Sequence, residues 1–539
     1  MSAGNSHWLS GLRPAQASLV IFVILFGLQK FASLFLFGDQ RSRRLLSCNQ
    51  IQPASVHIRK DMKSTNHQSK TAAGQMRRRS FLKGVLAASA ASVFAPRLLR
   101  AAAPGRKINL ACCGIGNRGA DDVKEFHKLE QAGLVNIVAL CDTDMGASHT
   151  LEVLKLYPEV PRFQDFRQML DKLGKDIDAV CVAVPDFSHF AIAMLAMSQG
   201  KHVYSEKPMG HSFRQIELMM QAAEKYHVAT QMGNQGHSEA NYFQFKAWVD
   251  AGIIKNVTKI TAFMNSSRRW HGMKVSGLLP AQPIPPTLDW EVWLTTAEAH
   301  AYNKGYVNGD WRSWFDFGNG ALGDWGAHIF DTAHEFLQLG LPTEVEAVKL
   351  DGYSPYIFPQ ASTLAFRFPA RGTQPPCELT WYDGQNNLPP IPEDMGDSVV
   401  DPNIPPPTSG TIDTKKRAPG KVIYGEGLTF KGGSHGSTLQ IIPQSKAQEL
   451  TGKLPPVPKS PSNHWKNFLL AATGQEQCRS SFAVAGPLCQ AMALGVIAQR
   501  VNAKLAFDPA TRRITNHKVA NGLLAGVTPR PGWEEYYKL

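Results

Sequence analysis

Cysteine is scarce in this chain. Its 539 residues include eight cysteines, and these show neither the paired spacings of a zinc site nor a disulfide framework. Cys112, Cys113, Cys141 and Cys181 fall inside apolar, strand-like runs and are expected as small buried core residues. By sequence alone Cys377, Cys478 and Cys489 could pair. Acidic residues are scarce in one region only. Residues 1–103 hold 15 Lys and Arg against Asp39 and Asp61, so they carry the whole formal net charge of +13, and the remainder holds 42 residues of each sign. A neutral body lacks the basic footprint that nucleic acid demands, which excludes that partner. Residues 17–37 reach the roughly 20 apolar residues that a membrane span needs. No internal repeat is evident.

What is present begins with a leader. Arg78-Arg79-Ser80-Phe81-Leu82-Lys83 is followed by an Ala-rich apolar stretch and then by Ala101-Ala102-Ala103. Charge, apolar run and small residues in that order are the pattern of a twin-arginine export signal, here over residues 76–103, and they predict a periplasmic protein. Such a signal starts at the beginning of a protein. Met76 is therefore read as the initiator and residues 1–75 as an over-extended leader. The alternative is a membrane anchor at 17–37, which is the one route to a membrane.

Residues 104–235 read as a dinucleotide-binding domain. An apolar strand (107–113) leads to Gly114-Ile115-Gly116-Asn117-Arg118-Gly119, then to a helical stretch, then to a second strand (136–141) that ends in Asp142. The motif G-x-G-x-x-G is weak alone, but strand before, helix after and an acid at the next strand end supply its context. Gly114 allows the turn, Gly116 lets backbone approach a pyrophosphate, and Gly119 lets the helix pack on the sheet with its N-terminus facing the anion. Asp142 would accept hydrogen bonds from a ribose diol and repel a 2′-phosphate, so NAD is expected over NADP. Arg118, which could reach a phosphate, pulls the other way.

Further strands at 178–184, 201–205 and 228–232 alternate with helices capped by Asp165 and Ser212. This alternation implies a parallel sheet, and ligands bind beyond the carboxyl ends of such strands. Pro185, Asp186 and His189, then Glu206-Lys207-Pro208, then Asn234 and Gln235 all follow strand ends and should converge on one crevice. Lys207, at the place of a nicotinamide ring, suits proton transfer with a substrate hydroxyl.

Residues 323–335 read as one helix closed by Gly340 and Pro342. At about 100° per residue, Asp324, His328, Asp331 and Glu335 share a face. Asp324 can orient His328, which can act as base or relay with Lys207, while Asp331 and Glu335 are expected to cap and solvate the helix. No metal is expected, because no second cluster completes a coordination shell.

Residues 236–539 change character to antiparallel alternation at 257–264, 344–353, 362–370 and 377–384. Residues 388–420, with eight prolines, are expected as an exposed loop. Six of the eleven tryptophans lie between Trp270 and Trp325. Singly each is a packing residue; together they favour a carbohydrate or polyol.

The glycine fingerprint, P-x-x-x-H at 185–189, E-K-P at 206–208 and D-x-x-x-H at 324–328 resemble the glucose–fructose oxidoreductase, inositol dehydrogenase and rhizopine-catabolism family (Gfo/Idh/MocA). The resemblance runs from about residue 106 to the C-terminus. It implies an α/β fold with an N-terminal Rossmann domain, then an α+β domain with a large open, mostly antiparallel sheet. It implies Lys207, Asp324 and His328 as the catalytic set and a homo-dimer or tetramer. The expected activity is NAD-dependent oxidation of a hydroxyl on a sugar, glycoside or cyclitol. Export of a folded protein away from the nicotinamide pool implies a retained, recycled cofactor. The alternatives are a redox-neutral NAD-dependent glycosidase and, from another class, a non-catalytic sugar-binding protein.

Overall fold

Strand β1 (Ile108–Cys113) is buried almost along its whole length, as a parallel strand covered on both faces must be. It lies at the centre of a six-stranded sheet with β2 (Val135–Cys141), β3 (Arg162–Phe163), β4 (Ala179–Val182), β5 (His202–Ser205) and β6 (Thr230–Met232). The order is β3-β2-β1-β4-β5-β6, and every pair is parallel. The order reverses between β1 and β4, which opens a crevice at their carboxyl ends. Helix starts follow the expected caps. Asp165 accepts from the Arg167 amide, and Ser212 forms a capping box with Gln215, which satisfies amides that the first turn leaves free.

These features belong to a computed structural model that describes residues 106–264, 275–384, 387–390, 392 and 419–539. The leader at 76–103, the apolar stretch 17–37, Trp270 and most of the proline-rich segment lie outside the described residues.

The second sheet has nine strands in the order β13-β12-β11-β7-β10-β9-β8-β14-β15. Its strands are β7 (Lys259–Met264), β8 (Glu344–Asp351), β9 (Ala361–Phe368), β10 (Cys377–Asp383), β11 (Gly420–Tyr424), β12 (Thr429–Gly433), β13 (Gln440–Ile442), β14 (Lys504–Asp508) and β15 (Arg513–Ile514). The β7–β10 pair is parallel and the other pairs are antiparallel. The expected α/β domain and mostly antiparallel α+β domain are thus both present.

The tail returns to the first domain. Phe468, Leu469 and Ala472 of helix His464–Ala472 join the core that covers β1. Trp533 and Tyr536 pack on Phe166. Helix Phe482–Val501 is long and apolar enough to cross a membrane by composition, but here it is a buried core helix. Cys377 and Cys489 are buried and Cys478 is half-buried, all as free thiols.

One expected helix is absent as such. Residues 322–336 form a wide π turn (Leu322–Gly326), a short α segment (Ala327–Ile329) and, past Phe330 at φ −119°, a second helix (Asp331–Phe336). Close packing accounts for the wide turn. A Cβ on Gly323 would lie 2.2 Å from Asn319 Cβ, and one on Gly326 would lie 3.0 Å from Met492 Sδ. Because the helical phase is broken, the four residues expected on one face occupy two.

Candidate functional site

The glycine turn builds the floor of a cleft. Gly114 has φ +79°, and a Cβ there would lie 2.4 Å from the Ala183 carbonyl oxygen. A Cβ on Gly119 would lie 2.1 Å from Gly114 O, so the helix Arg118–Gln131 can start against the turn only with glycine. The Gly116 Cα faces His149, whose Cδ2 would lie 2.0 Å from a Cβ. Ile115 and Gly119 are buried and shape the turn rather than line the cleft. Asp142 Oδ2 accepts from the Ile115 amide at 3.0 Å and its Oδ1 from the Asp144 amide at 3.0 Å. Burial pushes the Asp142 carboxyl above its ordinary value against those two amides. Each oxygen keeps a lone pair for a ligand.

Gly114, Gly116, Asn117, Asp142, Pro185, Asp186 and His189 line a cavity of about 230 Å³, closed on the far side by Trp293, Trp311 and Tyr302. Second-domain backbone is tied across its rim. Asp144 and Leu288 form an antiparallel bridge, and the Asp289 amide donates to Thr143 O at 2.9 Å. Gln164 Nε2 donates to Thr143 O at 2.9 Å and Thr287 O at 2.7 Å. The glycine cradle, the helix N-terminus and Asp142 fit a dinucleotide. Asp186 and His189 brace this wall. The Asp186 carboxylate accepts from the Asn319 amide at 3.0 Å, and the His189 ring nitrogens lie 2.8 Å from Pro208 O and 2.8 Å from Val184 O.

Arg118 lines the cavity, and its guanidinium is held by carboxylates. It donates to Asp122 Oδ1 at 2.7 Å and to Glu206 Oε1 at 3.2 Å. Two buried carboxylates need a counter-charge more than the cleft does. Glu206 also accepts from Gln235 Nε2 at 2.7 Å. Burial would raise the Glu206 pKa, but Arg118, Lys207 and Gln235 outweigh it and hold the carboxyl below its ordinary value. Glu206 is therefore a fixed anion, not a proton carrier.

A second cleft of about 740 Å³ adjoins the first and shares Asn117, Arg118, Glu206 and Lys207 with it; Gln235, Asp324, Trp325, His328 and His435 complete it. Lys207 Nζ donates to Asp324 Oδ1 at 2.5 Å and to Asp324 O at 2.9 Å. The amine of the first domain and the imidazole of the second thus line one cleft. His328 is buried, and its Nδ1 has no hydrogen-bond partner. Burial, then the neighbouring His435 and Lys207, push its pKa well below the ordinary value.

Two expectations are corrected here. Asn234 does not reach either cleft; its Nδ2 donates to Asp331 Oδ2 at 3.2 Å. Asp331 and Glu335 are not solvated caps. They flank buried His237, with Asp331 Oδ2 3.1 Å from Nδ1 and Glu335 Oε2 2.6 Å from Nε2. The wide turn rotates this pair away from Asp324 and His328 and toward the 235–238 segment. The tryptophans separate in the same way. Trp290, Trp293, Trp311 and Trp314 are buried in one aromatic cluster, and among the described tryptophans Trp325 lines the second cleft.

Sequence reading missed His435. It lies on the turn between β12 and β13, stacked on His328 with ring centroids 4.0 Å apart and planes 16° apart. Burial, with Lys207 nearby, pushes its pKa down to about 4. A histidine inside the glycine-flanked stretch Gly432-Gly433-Ser434-His435-Gly436 was the available signal.

Residues 108–234 match the model described as "Oxidoreductase family, NAD-binding Rossmann fold", and residues 240–352 match "Oxidoreductase family, C-terminal alpha/beta domain". Among curated proteins, the chain is 30% identical over 123 residues to a Glycosyl hydrolase family 109 protein of Shewanella amazonensis, covering 22% of this chain and 26% of that one. It is 25% identical over 186 residues to an Inositol 2-dehydrogenase of Salmonella typhimurium, covering 34% of this chain and 52% of that one. The chain thus spans about a quarter and about half of these relatives' lengths. Among solved structures it is similar to the WlbA dehydrogenase from Bordetella pertussis in complex with NADH and UDP-GlcNAcA. That match has 15% identity, covers 75% of this chain and 98% of the other, and has a TM-score of 0.47.

Proposed function

We propose, from the match of residues 108–234 and 240–352 to the two Gfo/Idh/MocA family models, an NAD-dependent oxidoreductase acting on a hydroxyl of a sugar, glycoside or cyclitol. The observation that carries this reading is the Lys207–Asp324 pair, 2.5 Å apart, in a cleft continuous with the glycine cradle. Bound NAD would supply the hydride acceptor, held by Gly114, Gly116, the helix start at Arg118 and Asp142. Lys207 Nζ, fixed by two oxygens of Asp324, donates to the substrate hydroxyl oxygen and stabilises negative charge as its proton leaves. His328, neutral at ordinary pH, accepts that proton at a ring nitrogen.

The bridge from Asp144 to Leu288 and the Gln164 contacts support a cofactor that stays in place between turnovers. Export as a folded, loaded protein is part of the same proposal. A retained cofactor must be restored within each cycle, either by a second substrate or by a redox-neutral course. The redox-neutral course draws support from the named glycosyl hydrolase relatives. In it, transient ketone formation acidifies a neighbouring C–H so that a glycosidic bond is eliminated and water added.

The test starts with mass spectrometry of the nucleotide that co-purifies with the protein, followed by polyols and glycosides screened for nicotinamide reduction and keto products. Lys207→Ala should keep its NAD and lose turnover. Unchanged turnover in that variant would leave the oxidoreductase reading without its proton-handling group. If binding alone were the function, the same change would matter little. NAD that exchanges freely in the purified protein would contradict retention.

A further inference from the structure

His435 is held in the reaction cleft at visible cost. Its backbone has φ +52°, a left-handed conformation that L residues with a side chain adopt at a penalty. The turn is held tightly in place. The His435 amide donates to His328 O at 2.9 Å. Gly236 must be glycine because a Cβ there would lie 2.6 Å from the His435 carbonyl carbon. Nδ1 lies 3.0 Å from Ser434 Oγ, and among the described residues no hydrogen bond is made by the ring's other nitrogen. The stacked partner ring, His328, is 6% exposed and has an unpaired Nδ1. Trp325 stands edge-on to both rings, with centroids at 6.2 and 5.5 Å.

A buried nitrogen without a partner, as His328 Nδ1 is, costs stability unless a ligand completes it. Two rings stacked with centroids 4.0 Å apart can present acceptors side by side to neighbouring hydroxyls of one ligand. Neutral imidazole nitrogens without a proton accept hydrogen bonds from hydroxyl groups. Lys207, which also lines the cleft, is already bonded to Asp324.

We propose that His328 and His435 together receive two neighbouring hydroxyls of the substrate, the reacting one and the one beside it. His435 is then a substrate-contacting, specificity-determining residue for vicinal polyols. This inference rests on the polyol-oxidoreductase reading and adds the substrate feature that the site would recognise.

The experiment uses the full chain with its bound NAD. A panel of myo-inositol and the methyl pyranosides of glucose, galactose and mannose is titrated calorimetrically, and nicotinamide reduction is followed in parallel. The best ligand is then compared with its deoxy analogue lacking the hydroxyl beside the oxidised carbon. Wild type should favour the parent by roughly tenfold or more, the usual scale for a site built to hydrogen-bond a hydroxyl. His435→Phe, which keeps a stacked ring, should bind parent and analogue alike, with KM raised more than kcat is lowered and NAD content unchanged. His435→Gln should restore part of the preference. A His435→Phe variant that keeps the wild-type preference overturns the proposal and leaves the oxidoreductase reading intact. So does one that loses affinity equally for both compounds. If neither variant folds, the wild-type comparison decides, and indifference to the missing hydroxyl refutes the inference. A panel with no ligand and no reduction defeats the polyol reading itself.

Discussion

Raising the pH should erase the contribution that one buried histidine makes to this fold. His237 is 2% exposed, with Asp331 Oδ2 3.1 Å from Nδ1 and Glu335 Oε2 2.6 Å from Nε2. Burial favours the neutral ring, but the two carboxylates outweigh it and raise the pKa from 6.5 to about 9. A folded-state value above the unfolded one means stabilisation that is complete below pH 6.5 and lost as pH climbs through about 9. The interval corresponds to on the order of 3 kcal/mol, as an upper figure because Glu335 is 25% exposed. Lys421 acts with opposite sign. Burial lowers its pKa from 10.5 to about 8, so its contribution improves as pH rises from about 8. More than half of the His237 loss should precede that point. The assay is urea unfolding of the purified protein at closely spaced pH values from below 6.5 to 8. Histidines with lowered pKa, His328, His334, His435 and His464 among them, add stability as pH rises toward about 7, so the quantity read is the gap between wild type and His237→Gln. The variant should start lower by about 3–5 kcal/mol, the cost of stripping a buried ionic partner, and the gap should narrow as pH rises through this range. A gap that stays constant or widens would refute the charged-histidine account.

Three further changes probe the cleft. Gly119→Ala would put a Cβ 2.1 Å from the Gly114 carbonyl oxygen; because the clash is with backbone, the variant should lose about 1–3 kcal/mol and purify with little nucleotide, measured by urea midpoint and by nucleotide content after acid extraction. Trp465→Phe removes the 2.9 Å indole hydrogen bond to fully buried Asp122 and should cost about 1–3 kcal/mol, read from the same midpoint. Asp142→Ser should narrow the preference for NAD over NADP, read by calorimetric titration of both nucleotides into stripped protein. An unchanged ratio would remove Asp142 from the selecting role.

The parts legible in sequence were those whose physics is local. Buried parallel strands read as apolar runs because both faces are covered, and the glycine fingerprint reads directly because Gly119 meets the Gly114 carbonyl and Gly114 meets the adjoining strand end. Lys207 was visible from its place after β5. The rest depends on contacts between distant residues. The uniform helical period drawn through 323–335 could not register a wide turn set by packing against Asn319 and Met492. The partner of Asp331 is His237, 94 positions earlier, so a buried ion cluster read as a solvated helix face. His435 reaches the cleft only because β11, β12 and β13 extend the second sheet, and those short strands carry little alternation. Nothing local told that Phe468 and Trp533, in the tail, would close the first domain.

The central claim is that Lys207 and His328 handle the proton of a substrate hydroxyl beside the bound nicotinamide. Single-turnover mixing of the NAD-loaded protein with the best polyol of the panel, followed by nicotinamide absorbance, tests it most directly. The account predicts a reduction transient in wild type, slowed by a factor of about 10² to 10⁴ in Lys207→Met and in His328→Phe with NAD content unchanged in both. A transient of wild-type speed in either variant would contradict it.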